Sequence, residues 1–151
     1  MSIKTTAMPD TQLDRNIAFQ MASIIYRLDL DLRDSILRKL DLTYVHFRVL
    51  QYLYEENGQK IGDIATAIVV RQPVLSRVVD QMEERALVKR RPDPNDSRAM
   101  RVYLTPKGKA RYKEAWPPAH LLIDKALTNF DEQEHETLLL LLKKMAGNIF
   151  G

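Results

Sequence analysis

At Leu87 the hydrophobic period of this chain changes. Before it, apolar residues recur every three or four positions. After it, Leu87–Arg91 and Met100–Leu104 alternate on either side of Pro92-Asp93-Pro94-Asn95-Asp96-Ser97. Alternation flanking a turn rich in proline and aspartate predicts a β-hairpin. Two short helical patterns precede it. Ile61, Ile64, Ala65 and Ile68 form the face of the first, and Leu75, Val78, Val79, Met82 and Ala86 that of the second, which starts at Gln72 or Pro73 and runs to about Arg85. Pro73 suits a first helical turn, where its missing amide proton has no partner to lose. Helix, turn, helix and hairpin in this order predict a winged helix-turn-helix.

The flanks read as helices. Leu13, Ile17, Met21, Ile24, Leu28, Leu32 and Ile36 hold one stripe, predicting a first helix from about Leu13 to Leu37 or Leu40. A helix that long needs burial beyond one small lobe, and a partner subunit supplies it. Thr43 is an N-cap for a second helix, Tyr44 to about Glu55, which Gly58 follows. Thr105-Pro106 opens a fifth helix that Pro117-Pro118 should bend or interrupt. Asp131 and Glu134 form a capping box for a last helix carrying Leu138, Leu139, Leu141, Leu142 and Met145 and ending near Gly147. Residues 1–11 read as a loose arm. The expected organisation is mainly α: an arm and dimerisation helix over 1–40, a DNA-binding lobe with a two-stranded wing over 41–105, and C-terminal dimerisation helices over 106–151.

Composition removes several function classes. The 151 residues include no Cys and only 3 His, which leaves no thiolate site and little for a zinc site. Asp93 and Asp96 stand in a loop without histidine neighbours, and there is no glycine-rich phosphate cradle, so neither an enzyme nor a cofactor is expected. Polar residues after Met1 and a leucine run of only Leu138–Leu142 argue against a signal peptide or a membrane span, and place the chain in the cytoplasm.

The charge is uneven. Residues 71–113 hold 12 basic and 5 acidic residues, whereas the rest of the chain holds 11 and 15. A basic centre on an acidic body points to a polyanion. A helix fits the major groove, and on the second helix of the motif Gln72, Ser76 and Arg77 share one face. Arg71 and Pro73 stand at that helix's start, and Lys89, Arg90, Arg91 and Arg101 make the hairpin basic. Alternation can turn only about half of those four toward phosphate. Arg98 stands at the turn tip, beside the duplex backbone or minor groove. Double-stranded DNA is therefore the expected partner, with a two-fold dimer matching a pseudo-palindromic site. The competing reading is a protein-interaction module that keeps the winged fold without binding DNA.

Leu75-Ser76-Arg77-Val78-Val79-Asp80 through Glu84-Arg85-Ala86-Leu87-Val88-Lys89-Arg90, then Asp93-Pro94-Asn95-Asp96-Ser97-Arg98 and Val102-Tyr103-Leu104-Thr105-Pro106-Lys107-Gly108, resemble the MarR family of winged-helix regulators. The resemblance runs from about Leu13 to Met145. It implies an obligate homodimer with interlocked terminal helices, and repression of transcription relieved by a small molecule. It implies that Asp96 braces Arg77, and that Arg98 enters the minor groove. Ala86 stands where the family favours a left-handed glycine, so the turn into the wing is expected to be built differently. The family's effector pocket, where dimer helices meet the winged lobe, maps to Arg15, Phe19, Tyr26, His46, Phe47 and Arg48. Arg15 and Arg48 would receive a carboxylate, pointing to an aromatic or other organic acid. His46 also reads as a half-buried structural histidine, and Trp116 as a core or interface residue.

Overall fold

The computed structural model describes residues 12–151; the arm read over residues 1–11 lies outside them. Six α-helices follow in order: α1 (Ile17–Leu32), α2 (Tyr44–Glu55), α3 (Ile61–Ile68), α4 (Gln72–Glu84), α5 (Pro106–Ala126) and α6 (Glu132–Phe150). Three short strands complete the fold: β1 (Gln59–Lys60), β2 (Val88–Pro92) and β3 (Met100–Leu104).

The expected single first helix is divided. A 3-10 turn, Leu13–Arg15, precedes α1, and a π-helical turn, Arg33–Leu37, follows it. Asn16 is extended and accepts the Phe19 N–H on its side chain, so α1 begins after it. The wider π turn lets Leu32 and Leu37, five residues apart, both enter the core. Asp41, at φ +53°, then turns the chain into α2.

One core fills the winged lobe. Val49, Leu50 and Leu53 of α2, Ile64 of α3, Leu75, Val79 and Met82 of α4, and Val88 and Val102 of the sheet are all sealed from solvent or nearly so. Tyr112 and Ala115 bring α5 onto it, with the Tyr112 ring 5.9 Å from Phe47 and 4.7 Å from Tyr54. Thr43, Thr105 and Asp131 cap α2, α5 and α6 as their sequence predicts.

The wing is the expected two-stranded hairpin, β2 and β3, and a short third strand that the sequence did not show extends its sheet. β1 pairs with β3, and β3 with β2, all antiparallel, with Gln59 opposite Val102 and Arg90 opposite Val102 on the other side. A two-residue strand has too little alternation to show in sequence. Gly108 fixes the junction between wing and α5. A Cβ there would drive into the Leu87 carbonyl oxygen, so only glycine permits the approach.

Three local expectations are corrected. Ala86 keeps the left-handed conformation, φ +56°, and the Leu87 N–H closes back on the Met82 carbonyl at 2.9 Å. The turn is thus built as a glycine would build it, at the expense of Cβ strain. Pro117 and Pro118 do not interrupt α5, which runs through both of them. The carbonyls they leave unbonded belong to Lys113 and Glu114, both exposed residues, where solvent can take the place of the lost amides. Helix α6 runs past Gly147 to Phe150 and buries no residue. Among the described residues no helix is long and apolar enough to cross a membrane.

Candidate nucleic-acid interface

Helix α4 buries Leu75, Val79 and Met82, and this phase fixes its opposite face. Gln72, Pro73 and Arg77 are exposed and Ser76 is half-buried. No side chain caps the helix at Arg71, which is extended, so the Gln72 and Val74 amides of the first turn have no capping partner.

The pleat of β2 divides its basic residues. Val88 and Arg90 lie in the phase facing α4, while Lys89 and Arg91 point the other way and are exposed. Arg90 is an internal strut. Its Nη2 donates to Asp80 Oδ1 at 2.5 Å and to the Ser76 carbonyl at 3.2 Å, and its Nη1 donates to Glu83 Oε1 at 3.2 Å. Its backbone N–H donates to Glu83 Oε2 at 2.8 Å. The wing is thereby fastened along one side of α4.

A buried carboxylate organises the wing loop. Asp93 accepts the N–H groups of Asn95 and Asp96 at 2.7 and 3.1 Å, and Arg101 Nε at 2.5 Å. Arg101 also donates to the Gly58 carbonyl at 2.7 Å, joining the loop to the end of α2. The Asn95 amide, then Arg101, hold the Asp93 carboxyl below the usual carboxylate range. At the tip, Asp96 accepts the Arg98 N–H at 3.0 Å, and Arg98 is exposed. Among the described residues, Arg71, Arg77, Lys89, Arg91 and Arg98 have no carboxylate within ion-pair distance. Arg90 and Arg101 are neutralised internally, and those five cations face solvent.

A cavity of about 270 Å³ lies between α1, α2 and α5. Leu28, Phe47, Arg48, Trp116 and His120 are among its walls. Trp116 stacks on His120 with centroids 4.6 Å apart and planes 11° apart, and Arg48 stands 5.9 Å from the centre of the Tyr44 ring. Asp29 also lines it, and its Oδ1 is buried without a hydrogen-bond partner among the described residues. A second, polar cleft of about 580 Å³ lies across α1, α2 and α4, with His46, Gln81 and Arg85 in its walls.

A family model described as the MarR family matches residues 42–100, from the start of α2 to the first residue of β3. This chain resembles the crystal structure of a MarR-family transcriptional regulator from Silicibacter pomeroyi, with 32% identity, a TM-score of 0.86, and coverage of 95% of this chain and 96% of the other. This chain belongs to the MarR family. An uncharacterised HTH-type transcriptional regulator of Bacillus subtilis, YkoM, is 31% identical over 98 residues, and the match spans 65% of this chain and 64% of YkoM. Bordetella bronchiseptica BpsR, whose structure describes regulation of DNA binding by 6-hydroxynicotinic acid, aligns at 25% identity with a TM-score of 0.75 over 86% of this chain and 98% of that one. MarR-family regulators are typically DNA-binding and often ligand-responsive repressors.

Two details expected from the MarR resemblance are placed differently here. Among the described residues Asp96 makes no bond to Arg77; its Oδ1 accepts the Arg98 amide two residues on. The brace between wing and α4 is instead Arg90 with Asp80 and Glu83. In sequence Arg90 reads only as part of a basic hairpin, although its phase with Val88 marks it as inward. Within one protomer the expected carboxyl-binding pair does not share a cavity. Phe47 and Arg48 line the cavity, but Arg15, Phe19 and Tyr26 are exposed and line neither that cavity nor the cleft. The cavity takes its α1 wall from Ile25 to Leu32, and Arg15 lies in the turn before the helix starts. His46 faces the polar cleft instead. Trp116, Asp29 and His120 belong to the cavity; of these, only Trp116 is marked in sequence, by its aromatic character. Among the described residues no group of three His, Asp or Glu side chains could hold a metal.

Proposed function

We propose that this chain is a homodimeric DNA-binding transcriptional regulator, a repressor of pseudo-palindromic operators that a small organic acid releases. The observation that carries the reading is the sorting of the basic residues. Two arginines of the wing are neutralised internally, while Arg71 and Arg77 around α4, and Lys89, Arg91 and Arg98 on the wing, stay unpaired and exposed among the described residues. In this reading α4 enters the major groove with Gln72, Pro73, Ser76 and Arg77, and Arg98 reaches the adjacent minor groove. Asp96 shapes the tip that presents Arg98.

Dimerisation is supported by apolar surface that the monomer leaves open. Leu139–Leu142, Ile149 and Phe150 of α6 and Ile17, Met21, Ile24 and Ile25 of α1 are exposed. The cavity between α1, α2 and α5 is the effector site in this reading. Arg48 receives the acid group, the Trp116–His120 stack offers an aromatic face, and Phe47 closes the floor. BpsR, regulated by a hydroxylated aromatic acid, supports the ligand class.

The test is footprinting on the chain's own upstream region and then on genomic fragments, at several salt concentrations, with and without a panel of aromatic acids. A two-fold footprint released by one acid is expected. Failure to bind any fragment would leave the interaction-module alternative.

A further inference from the structure

His46 is buried at the third position of α2, and neither the DNA face nor the effector cavity uses it. It completes an unusual capping box. Its N–H donates to Thr43 Oγ1, and its Nδ1 accepts the Thr43 N–H, each at 3.1 Å. A ring nitrogen that accepts an amide proton carries none itself, so in the neutral ring the proton is on Nε2. Nε2 faces Gln81 Oε1 across 3.4 Å, and Gln81 belongs to α4. One tautomer therefore joins the start of α2 to the helix that carries Gln72, Ser76 and Arg77.

We propose that His46 is a positioning residue for α4, and that protonating it loosens α4 and weakens operator binding in acid. A doubly protonated ring turns Nδ1–H against the Thr43 N–H, so the ring must leave its seat in the box, and Nε2 then gives up Gln81 of α4 as well. This inference rests on the DNA-binding reading above.

The surroundings resist the charge. Arg85, at the end of α4, is held in place by the carbonyls of Leu40 and Asp41 at 3.2 and 2.5 Å. The other charged groups around the cleft are Asp29 of α1, Arg33 and Arg38 at the π turn, Asp41 before α2, and Glu84 of α4. Burial acts most strongly on the ring, and Arg85 adds to it against Gln81 and Asp41, so the His46 pKa lies below its ordinary 6.5. The ring is neutral at neutral pH and charges only in acid.

The sign is diagnostic. Acid makes the whole protein more positive, which by itself tightens DNA binding. The release proposed here runs the other way. The experiment uses the full chain and the genomic duplex it binds most tightly at about pH 8, and follows affinity down to about pH 5. His46→Gln is the informative variant. Thr-x-x-Gln is an ordinary capping box, its amide can meet both Thr43 and Gln81, and it does not titrate. Wild type is expected to lose affinity on acidification, by at most about fivefold per lobe, the worth of a helix cap, while H46Q holds or tightens. Gln81→Glu, which offers Nε2 a carboxylate, is expected to move the wild-type transition to higher pH.

Parallel curves for wild type and H46Q, or tightening of wild type in acid, would overturn the proposal. If H46Q fails to fold, ¹⁵N spectra of the wild-type ring decide. Protonation on Nε2 alone at neutral pH supports the proposal, and an Nδ1–H or charged ring overturns it. Absence of binding to any duplex by either protein refutes the DNA-binding reading itself, whereas binding with parallel curves refutes only the switch.

Discussion

Removing the Arg90 guanidinium while keeping its stem, as in Arg90→Met, should detach the wing from α4. The Arg90 side chain is 19% exposed, but its partners Asp80 and Glu83 are 58% and 39% exposed. A fully buried charge-assisted bond is worth about 1.5–3 kcal/mol, and partial exposure reduces each of these two to about 1 kcal/mol. The bond to the Ser76 carbonyl adds about 1 kcal/mol, for a total of about 3 kcal/mol. The freed carboxylates can hydrate, so no buried-charge penalty is added. For a chain of this length that corresponds to a fall in Tm of roughly 6–12 °C by thermal denaturation. Operator affinity should also fall, because two carboxylates beside the groove-facing helix lose their counter-charge. The salt dependence should stay the same, since Arg90 releases no counterion from phosphate. An unchanged Tm would refute the strut. So would additivity with Asp80→Asn and Glu83→Gln in a double-mutant cycle, where coupling is required.

Arg98→Ala should weaken operator binding and lower the slope of log affinity against log salt by about 0.9 for each phosphate left without its counter-charge, measured by titration at several salt concentrations. Equal slopes would remove Arg98 from the phosphate-binding set. Ala86→Gly should raise stability by about 1 kcal/mol in chemical denaturation, because it relieves a left-handed Cβ at φ +56°. The Asp93 carboxyl titrates below its ordinary value of 3.8 when folded. Its contribution is therefore complete above that value and is lost as pH falls through the folded pKa. Acid denaturation should show this loss in wild type, and Asp93→Asn should be less stable at neutral pH with a flatter acid limb.

Sequence carried the order of elements because each boundary has a local cause. Thr43, Thr105 and Asp131 bond to amides three residues on, and Pro73 needs only its own ring to suit a helix start. Features that depend on distant partners were hidden. The strut needs Arg90 to meet Asp80 and Glu83 across the helix–strand packing, and β1 exists only because β3 passes beside it. The helical course of α5 through Pro117 and Pro118 depends on which carbonyls face water. That Arg15 lines no cavity with Arg48 in one protomer goes with where α1 begins, which Asn16 sets through a single side-chain bond. Within the candidate DNA face, exposed positions of α4 followed from its period, but the division of the wing's cations required their partners.

Trp116 is the chain's single tryptophan, and it lines the cavity between α1, α2 and α5, stacked on His120. Every photon of indole emission from this protein therefore originates at the wall of one cavity. The emission maximum and its quenching are a built-in optical gauge of that space, with one probe per chain and no label attached. A small molecule entering there can be counted by titration in the absence of DNA.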